Sequence, residues 1–288
     1  MSEEKKGRLY LSATPIGNLE DMTYRGVRML AEADLIAAED TRHTRKLLSH
    51  YDIHTPATSY HEHNKLKKGP ELIERILEGA TVVCVSDAGL PGISDPGAHL
   101  AGLAIEAGIS VSPLPGANAA LSALICSGLD TAAFRFYGFL PRSAKKRREL
   151  LERIRTAGET LIFYEAPHHL KETLKQLRDI FGSSRHAVAA RELTKRYEQF
   201  NRSTLGELAE YYEGHEPKGE FVLLVAGCDL ADCPSEAAEE AAADPMEMVA
   251  RLEGTGLSRK EAMRETARSL GISRRDVYKM LLGGSNFE

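Results

Sequence analysis

Twelve consecutive residues, Ser86-Asp-Ala-Gly-Leu-Pro-Gly-Ile-Ser-Asp-Pro-Gly97, combine two carboxylates with three glycines and two prolines. Glycine lets a backbone approach a ligand closely, and proline fixes the shape of the loop that does so. Asp87 and Asp95 are suited to accept hydrogen bonds from a ligand's amine or hydroxyl groups; the same aspartates could instead close the turn and cap the helix behind it. A second group of ionisable residues is Glu39-Asp40-Thr41-Arg42-His43. A carboxylate or imidazole at the mouth of a strand can take a proton from a reacting hydroxyl. Glu39 and Asp40 are the preferred candidates for such a base, ahead of His43, although Asp40 equally suits the cap of a following helix. Arg42 is better suited to hold a phosphate or a carboxylate. Glu165 and Glu192 are further carboxylates able to face an acceptor.

Two histidine groups, His61-Glu62-His63 and His168-His169, invite a metal, but neither brings the further ligands of a closed site. Basic residues gather at Arg142, Lys145, Lys146, Arg147 and Arg148, extended by Arg153 and Arg155. In a chain of formal charge −5 this one-sided run fits phosphate binding or a solvated helix face. Arg191, Lys195 and Arg196 form a smaller second cluster.

The β-branched run Thr81-Val-Val-Cys-Val85 enters the 86–97 loop, and a helical pattern leaves it. That is a buried strand, a tight loop and a helix; open α/β sheets bind ligands at such carboxyl ends. The step recurs where Leu9-Tyr10-Leu11 runs into Thr14-Pro15-Ile16-Gly17-Asn18, at Leu114-Pro-Gly-Ala-Asn118, and where Leu161-Ile-Phe-Tyr164 runs into Glu165-Ala-Pro-His-His169. The first half predicts strands over 9–12, 35–38, 81–85 and 109–114. Its helices are one capped by Thr23, with Val27, Leu30 and Ala31 on one face, then 45–50, 66–77, 97–107 and 117–127. This alternation implies a largely parallel sheet with helices on both faces. The second half predicts strands over 134–139, 161–164, 187–190 and 221–226. Its helices cover 141–157, 170–181 and a stretch from a Thr204–Glu207 capping box to Tyr212.

Residues 229–247 change character: seven acidic residues, no Lys or Arg, and much alanine. They read as a solvated linker, partly helical at most. Beyond them, Ser258-Arg-Lys-Glu261 and Ser273-Arg-Arg-Asp276 look like two helix starts separated by Gly271-Ile272, a helix-turn-helix pattern. Arg274, Arg275 and Lys279 fall on or near the second helix. Nucleic-acid contact and a small bundle packing on the body or a partner subunit are both open readings.

At 288 residues the chain has room for two domains, or one large domain and an appendage. The apolar share of 42% and the charged share of 27% are those of a globular protein, and the net charge gives no global pull towards nucleic acid. The four cysteines are scattered without a CxxC, which fits the reduced cytoplasm and neither a zinc ribbon nor a dithiol motif. Residues 1–8 are polar with no apolar segment behind them, so no signal peptide is expected, and no apolar run approaches a membrane span.

Together the strand-to-loop steps resemble the tetrapyrrole methylase-like superfamily. Ala13-Thr-Pro-Ile-Gly-Asn-Leu19, Glu39-Asp-Thr-Arg42, Tyr164-Glu-Ala-Pro-His168, Ala190-Arg-Glu-Leu-Thr-Lys195 and Gly219-Glu-Phe-Val222 resemble its ribosomal RNA branch. The likeness covers roughly residues 7–227, with a further match near the C-terminus. Two departures favour that branch over tetrapyrrole methylation. Ser86-Asp87-Ala88 stands where Gly-Asp-Pro is common, and Thr14-Pro15-Ile16-Gly17 replaces a Gly-x-Gly. The resemblance implies two α/β domains, 1–116 and 117–228, with S-adenosylmethionine in the cleft between them. A linker over 229–244 and a helical domain over 245–288 would follow. It places cofactor contacts at Ile16, Asp87, Leu90, Ala117, Asn118, Glu165, Leu193 and the Gly219 turn. The implied activity is 2′-O-ribose methylation of a cytidine in small-subunit (16S) ribosomal RNA, by a homodimer, with free RNA or the assembled small subunit as partner. Phosphate contacts are expected from Arg42, Arg142, Lys145, Lys146, Arg147 and Arg148. The alternatives are a methyltransferase of the same fold acting on a tetrapyrrole or a protein side chain, and a nucleic-acid-binding regulator using the C-terminal helices.

Overall fold

The computed structural model describes residues 7–93, 95–228, 245–254, 257–269 and 273–283. Residues 7–154 and 159–226 form one compact unit; residues 155–158 belong with the C-terminal residues in a second.

Short runs of apolar, mostly branched side chains make the first sheet. Its strands are β1 (Arg8–Ser12), β2 (Leu35–Ala38), β3 (Ala57–Ser59), β4 (Thr81–Val85) and β5 (Ser110–Leu114). They are ordered β3-β2-β4-β1-β5 and every pairing is parallel. The period of two sends alternate residues to opposite faces. Leu9, Leu35, Ala37, Val82 and Cys84 pack on one face under α3 (Lys65–Leu77) and α4 (Gly97–Glu106). Ile36, Ala38, Val83, Val85 and Leu114 pack on the other under α1 (Tyr24–Glu32) and α2 (Thr41–His50). Each fully buried leucine, such as Leu30 or Leu100, contributes roughly 1.5–3 kcal/mol relative to exposure.

The helix starts are chemically defined. Thr23 caps α1 by accepting the Gly26 N–H at 3.0 Å. Asp40 caps α2 through the Arg42 N–H at 2.8 Å, so this helix starts at Thr41 rather than residue 45. Asn118 caps α5 (Ala119–Ile125) through the Leu121 N–H at 2.9 Å, which moves its start from the expected 117. Ala31 is exposed, not part of the α1 core face, because helical spacing carries it past the buried Leu30.

The second sheet departs from the parallel pattern. Its strands β6 (Phe134–Phe139), β7 (Thr160–Glu165), β8 (His186–Arg191), β9 (Gln199–Thr204) and β10 (Phe221–Val225) are ordered β6-β7-β10-β8-β9. Only β6–β7 is a parallel pair; β10 runs antiparallel between β7 and β8, and β9 is antiparallel to β8. The apolar runs mark strands without stating direction, and two polar strands, β3 and β9, carry too little apolar signal to be read. Helix α5 covers one face, with Ala120, Ala123 and Leu124 against Ile162, Val188, Val222 and Leu224. The remaining helices of this half are α6 (Ala144–Ile154), α7 (Pro167–Phe181) and α8 (Leu205–Gly214). The Thr204–Glu207 capping box is formed at the start of α8.

Among the described residues the C-terminal unit holds three helices, α9 (Pro245–Gly254), α10 (Arg259–Ser269) and α11 (Arg274–Gly283). Val249, Ala262, Met263, Ala267 and Val277 form its core. Helix α9, partly read as linker, supplies Val249 and Leu252 to that core. Ser258 and Ser273 open α10 and α11 through Glu261 and Asp276. The acidic linker at 229–244 and the Gly271-Ile272 turn lie outside the described residues. Cys84 and Cys126 are free thiols, and Cys228 is disulfide-bonded. No helix among the described residues is long and apolar enough to cross a membrane.

Candidate active site

A cavity of about 460 Å³ opens where the loops after the parallel strands meet strand ends of the second sheet. Ile16 follows β1, Glu39 follows β2, and Ser86, Ala88, Gly89 and Leu90 follow β4. Asn118 and Ala119 stand at the start of α5. The opposite wall comes from Phe139, Tyr164, Glu165, Leu193, Glu220 and Phe221. Thus the carboxyl ends of β1, β2, β4 and β7 all reach it, as the location of ligand sites in open sheets requires.

The loops on the first-sheet side are tied by main-chain bonds. Thr14 N–H donates to Gly89 O at 2.9 Å, and Gly89 N–H returns a bond to Thr14 O at 3.0 Å. Gly89 has φ +79°, a left-handed conformation that favours glycine, while a Cβ there would make only ordinary contacts with Ile16 and the Ala117 carbonyl. Asp95 accepts the N–H groups of Gly92, at 2.8 and 2.9 Å to its two oxygens, and of Gly97 at 2.7 Å. It therefore shapes the loop while also lining the cavity.

Glu39 and its neighbour Asp40 separate cleanly. Glu39 lines the cavity, and burial pushes its carboxyl up from the ordinary range, with Asp87 and Asp95 adding negative field. The Asp87 N–H, donating to Glu39 Oε2 at 3.3 Å, and His61 oppose this rise. A half-buried carboxylate with raised proton affinity, facing a cavity, is placed for proton transfer. Asp40 is not on the wall. The Arg42 guanidinium and N–H hold it far below the usual carboxylate range. Asp40 as a base is therefore corrected to a helix cap. Its partner Arg42 is held by that carboxylate, though 85% of its side chain stays exposed. His43 is exposed and off the wall.

Five of the expected cofactor positions, Ile16, Leu90, Asn118, Glu165 and Leu193, are brought together on the wall. Asp87, Ala117 and Gly219 are not on it. Asp87 accepts the Asp40 N–H at 3.0 Å, stitching the β4 loop to the end of β2. Gly219 has φ +86°, and a Cβ there would sit 2.5 Å from the Glu192 carboxyl. Glu165 is buried, and both oxygens are occupied, by the Ala166 N–H at 2.9 Å and the Thr173 hydroxyl at 2.6 Å. It is a fixed negative wall at the start of α7, where the helix dipole favours it.

The second-sheet rim is held by ions. Lys195 Nζ donates to Glu192 at 2.9 Å and to Glu220 at 2.8 Å, and the Glu220 N–H donates to Glu192 at 3.0 Å. Burial raises the Glu192 carboxyl, but Lys195 and the Glu220 N–H outweigh it and bring it below the ordinary value. Glu192 is thus spent on this network instead of facing an acceptor. The network reaches the first sheet at Gly17. A Cβ there would approach Leu193 O and Thr194 Oγ1 to 2.9 Å and Lys195 Cγ to 2.5 Å. Phe139, Tyr164 and Ile93 on the wall were not among the expected site residues; Phe139 and Tyr164 stand at strand ends, and Ile93 lies within the 86–97 loop.

The basic run on α6 is largely engaged. Arg147 is buried and pairs with Glu172 and Gln176 of α7, so it is not available to a phosphate. Its period places it on the packed side of the helix, next to Leu151. Arg148 pairs with Glu152 at 2.7 Å and Lys145 with Glu149 at 4.0 Å, both exposed i,i+4 contacts. Arg142 and Lys146 are exposed.

The sequence matches the family Tetrapyrrole (Corrin/Porphyrin) Methylases over residues 8–209. It is 51% identical over 277 residues to ribosomal RNA small subunit methyltransferase I of Halalkalibacterium halodurans, covering 96% of this chain and 95% of that protein. The protein of the same name from Synechocystis is 47% identical, over 96% of this chain and 98% of the relative. The fold is similar to that of a uroporphyrin-III C-methyltransferase from Thermus thermophilus solved with S-adenyl homocysteine. That match has a TM-score of 0.54 at 18% identity and covers 76% of this chain and 97% of the other. The chain belongs to the tetrapyrrole methylase family and, within it, to the ribosomal RNA small subunit methyltransferase I group.

Proposed function

We propose that the chain transfers a methyl group from S-adenosylmethionine to small-subunit (16S) ribosomal RNA, at the 2′ oxygen of a cytidine. Near full-length identity to relatives bearing the ribosomal RNA methyltransferase name carries the reaction class. The cavity fits such a cofactor. Its volume falls in the small-molecule range, roughly 300–1,000 Å³. Ile16, Leu90, Leu193 and Phe221 offer apolar surface for an adenine, while Glu39, Asp95 and Glu165 give a negative field suited to a cation.

When bound, the cofactor supplies a methyl group already attached to a good leaving group, a sulfonium. The chain then has to orient the acceptor, exclude water and receive one proton. Glu39 is the proposed receiver of the ribose hydroxyl proton, because it is the wall carboxylate with raised proton affinity and without a cation partner. Asp87 positions it through its N–H. A homodimer working in the cytoplasm, where ribosomal RNA is found, completes the reading; sedimentation at assay concentration checks the dimer.

The test is methyl transfer from labelled S-adenosylmethionine to small-subunit RNA and to small subunits from cells lacking this protein, followed by digestion to nucleosides. Label in 2′-O-methylcytidine is expected. Label on a base, or on another nucleoside, would overturn the assigned position. No transfer to either acceptor would turn the search to other acceptors of the fold.

A further inference from the structure

The two basic regions of the chain differ in how their charges are used. On α6, Arg147, Arg148 and Lys145 face carboxylates of α6 and α7. In the C-terminal unit the balance is reversed. Helix α10 buries Ala262, Met263, Thr266 and Ala267 along one side. Lys260, Arg264 and Arg268 follow four-residue spacing and form one row, about 6 Å apart along the axis, turned away from that buried side. All three are exposed, as are Arg274 and Arg275 in the first turn of α11. Among the described residues none of these five cations forms an ion pair with a carboxylate. The nearby Glu261 and Asp276 are held by the capping serines, Ser258 and Ser273, with Arg264 adding a smaller electrostatic pull on Glu261.

We propose that the row Lys260–Arg264–Arg268, with Arg274 and Arg275, binds the phosphate backbone of the RNA substrate. The inference rests on the reading that RNA is the substrate. Charge complementarity selects the partner: five exposed cations without an ion pair among the described residues, four of them guanidinium forks that match phosphate oxygens. An acidic protein surface offers carboxylates of similar charge but is not what the body acts on.

Binding of the full chain to a structured small-subunit RNA fragment, measured by anisotropy between about 50 and 200 mM salt, tests this. Each phosphate contact adds roughly 0.7–0.9 to the slope of log affinity against log salt. The variant K260Q/R264Q/R268Q/R274Q/R275Q should lower the slope by about 3–4 and weaken binding at least tenfold. Its KM for RNA should rise while turnover at saturating RNA stays within about twofold. The charge-conserving R264K/R268K/R274K/R275K should keep the slope, which separates lost charge from lost folding. K145Q/R148Q on α6 should change the slope by less than about one. An unchanged slope in the glutamine variant overturns the proposal, as does an equal loss of slope in the lysine variant. A slope lost on duplex DNA and kept on RNA would reassign the surface to DNA. Absence of methyl transfer by the wild-type chain would instead remove the reading of the active site, and is scored separately.

Discussion

The two rims of the cavity are held by different physics. On the first-sheet rim, main-chain bonds between Thr14 and Gly89 and the Asp95 turn fix the loops without spending a charge on another charge. On that rim Glu39 faces the cavity with its proton affinity raised by burial. On the second-sheet rim, Glu192, Lys195 and Glu220 neutralise one another, and Glu165 is saturated by hydrogen bonds. The lesson is that carboxylates of similar sequence context divide into chemistry and scaffold according to what already occupies their oxygens. A rim held by backbone can leave a carboxylate poised; a rim held by ions cannot.

The strongest way to break this contrast is at the seam. Gly17→Ala forces a Cβ against the Leu193 carbonyl, which cannot swing away as Lys195 can. It should destabilise the chain by about 1–3 kcal/mol and weaken cofactor binding at least tenfold, by denaturant titration and calorimetry. Gly102→Ala in α4, where a Cβ meets nothing within 4 Å, should be neutral or stabilising by up to about 1 kcal/mol.

Asp87→Asn sharpens the account of the poised side. Asp87 raises the Glu39 carboxyl by its charge, so neutralising it should move the acid limb of the pH–rate profile to lower pH. An unmoved limb would mean that another group titrates. Glu39 itself carries a stability sign. The native chain holds its proton more tightly than the unfolded chain, so its contribution is fully present below the unfolded value of 4.5 and is lost as pH rises through the higher native one. Glu39→Gln should therefore melt at the same or a higher temperature than wild type at neutral pH, even while losing activity.

The smallest effect belongs to the ionic rim. Lys195→Ala should cost about 1 kcal/mol, since the lysine is 29% exposed and its Glu220 partner 80%, and the loss should shrink at high salt.

Much of this arrangement was legible in the sequence. The strand over 35–38, the Thr23 cap and the Thr204–Glu207 box follow from local chemistry, which the fold keeps, whereas the five wall positions came from the family resemblance. What was not legible depended on which groups meet in the folded chain. Arg147 read as one more surface cation until Glu172 and Gln176, on the next helix, met it. Glu192 read as free until Lys195 and Glu220 closed on it. The antiparallel insertion of β10 between β7 and β8 leaves no trace in the run Phe221-Val-Leu-Leu-Val225, because an apolar strand buried on both faces looks the same in either direction.

The most direct test of the central claim is single-turnover methyl transfer by Glu39→Gln at saturating cofactor and RNA, with cofactor affinity measured by calorimetry on the same sample. If Glu39 receives the acceptor's proton from its place on the cavity wall, the rate falls by about 100-fold or more while cofactor affinity changes by less than about threefold. A rate within threefold of wild type would contradict the assignment of Glu39.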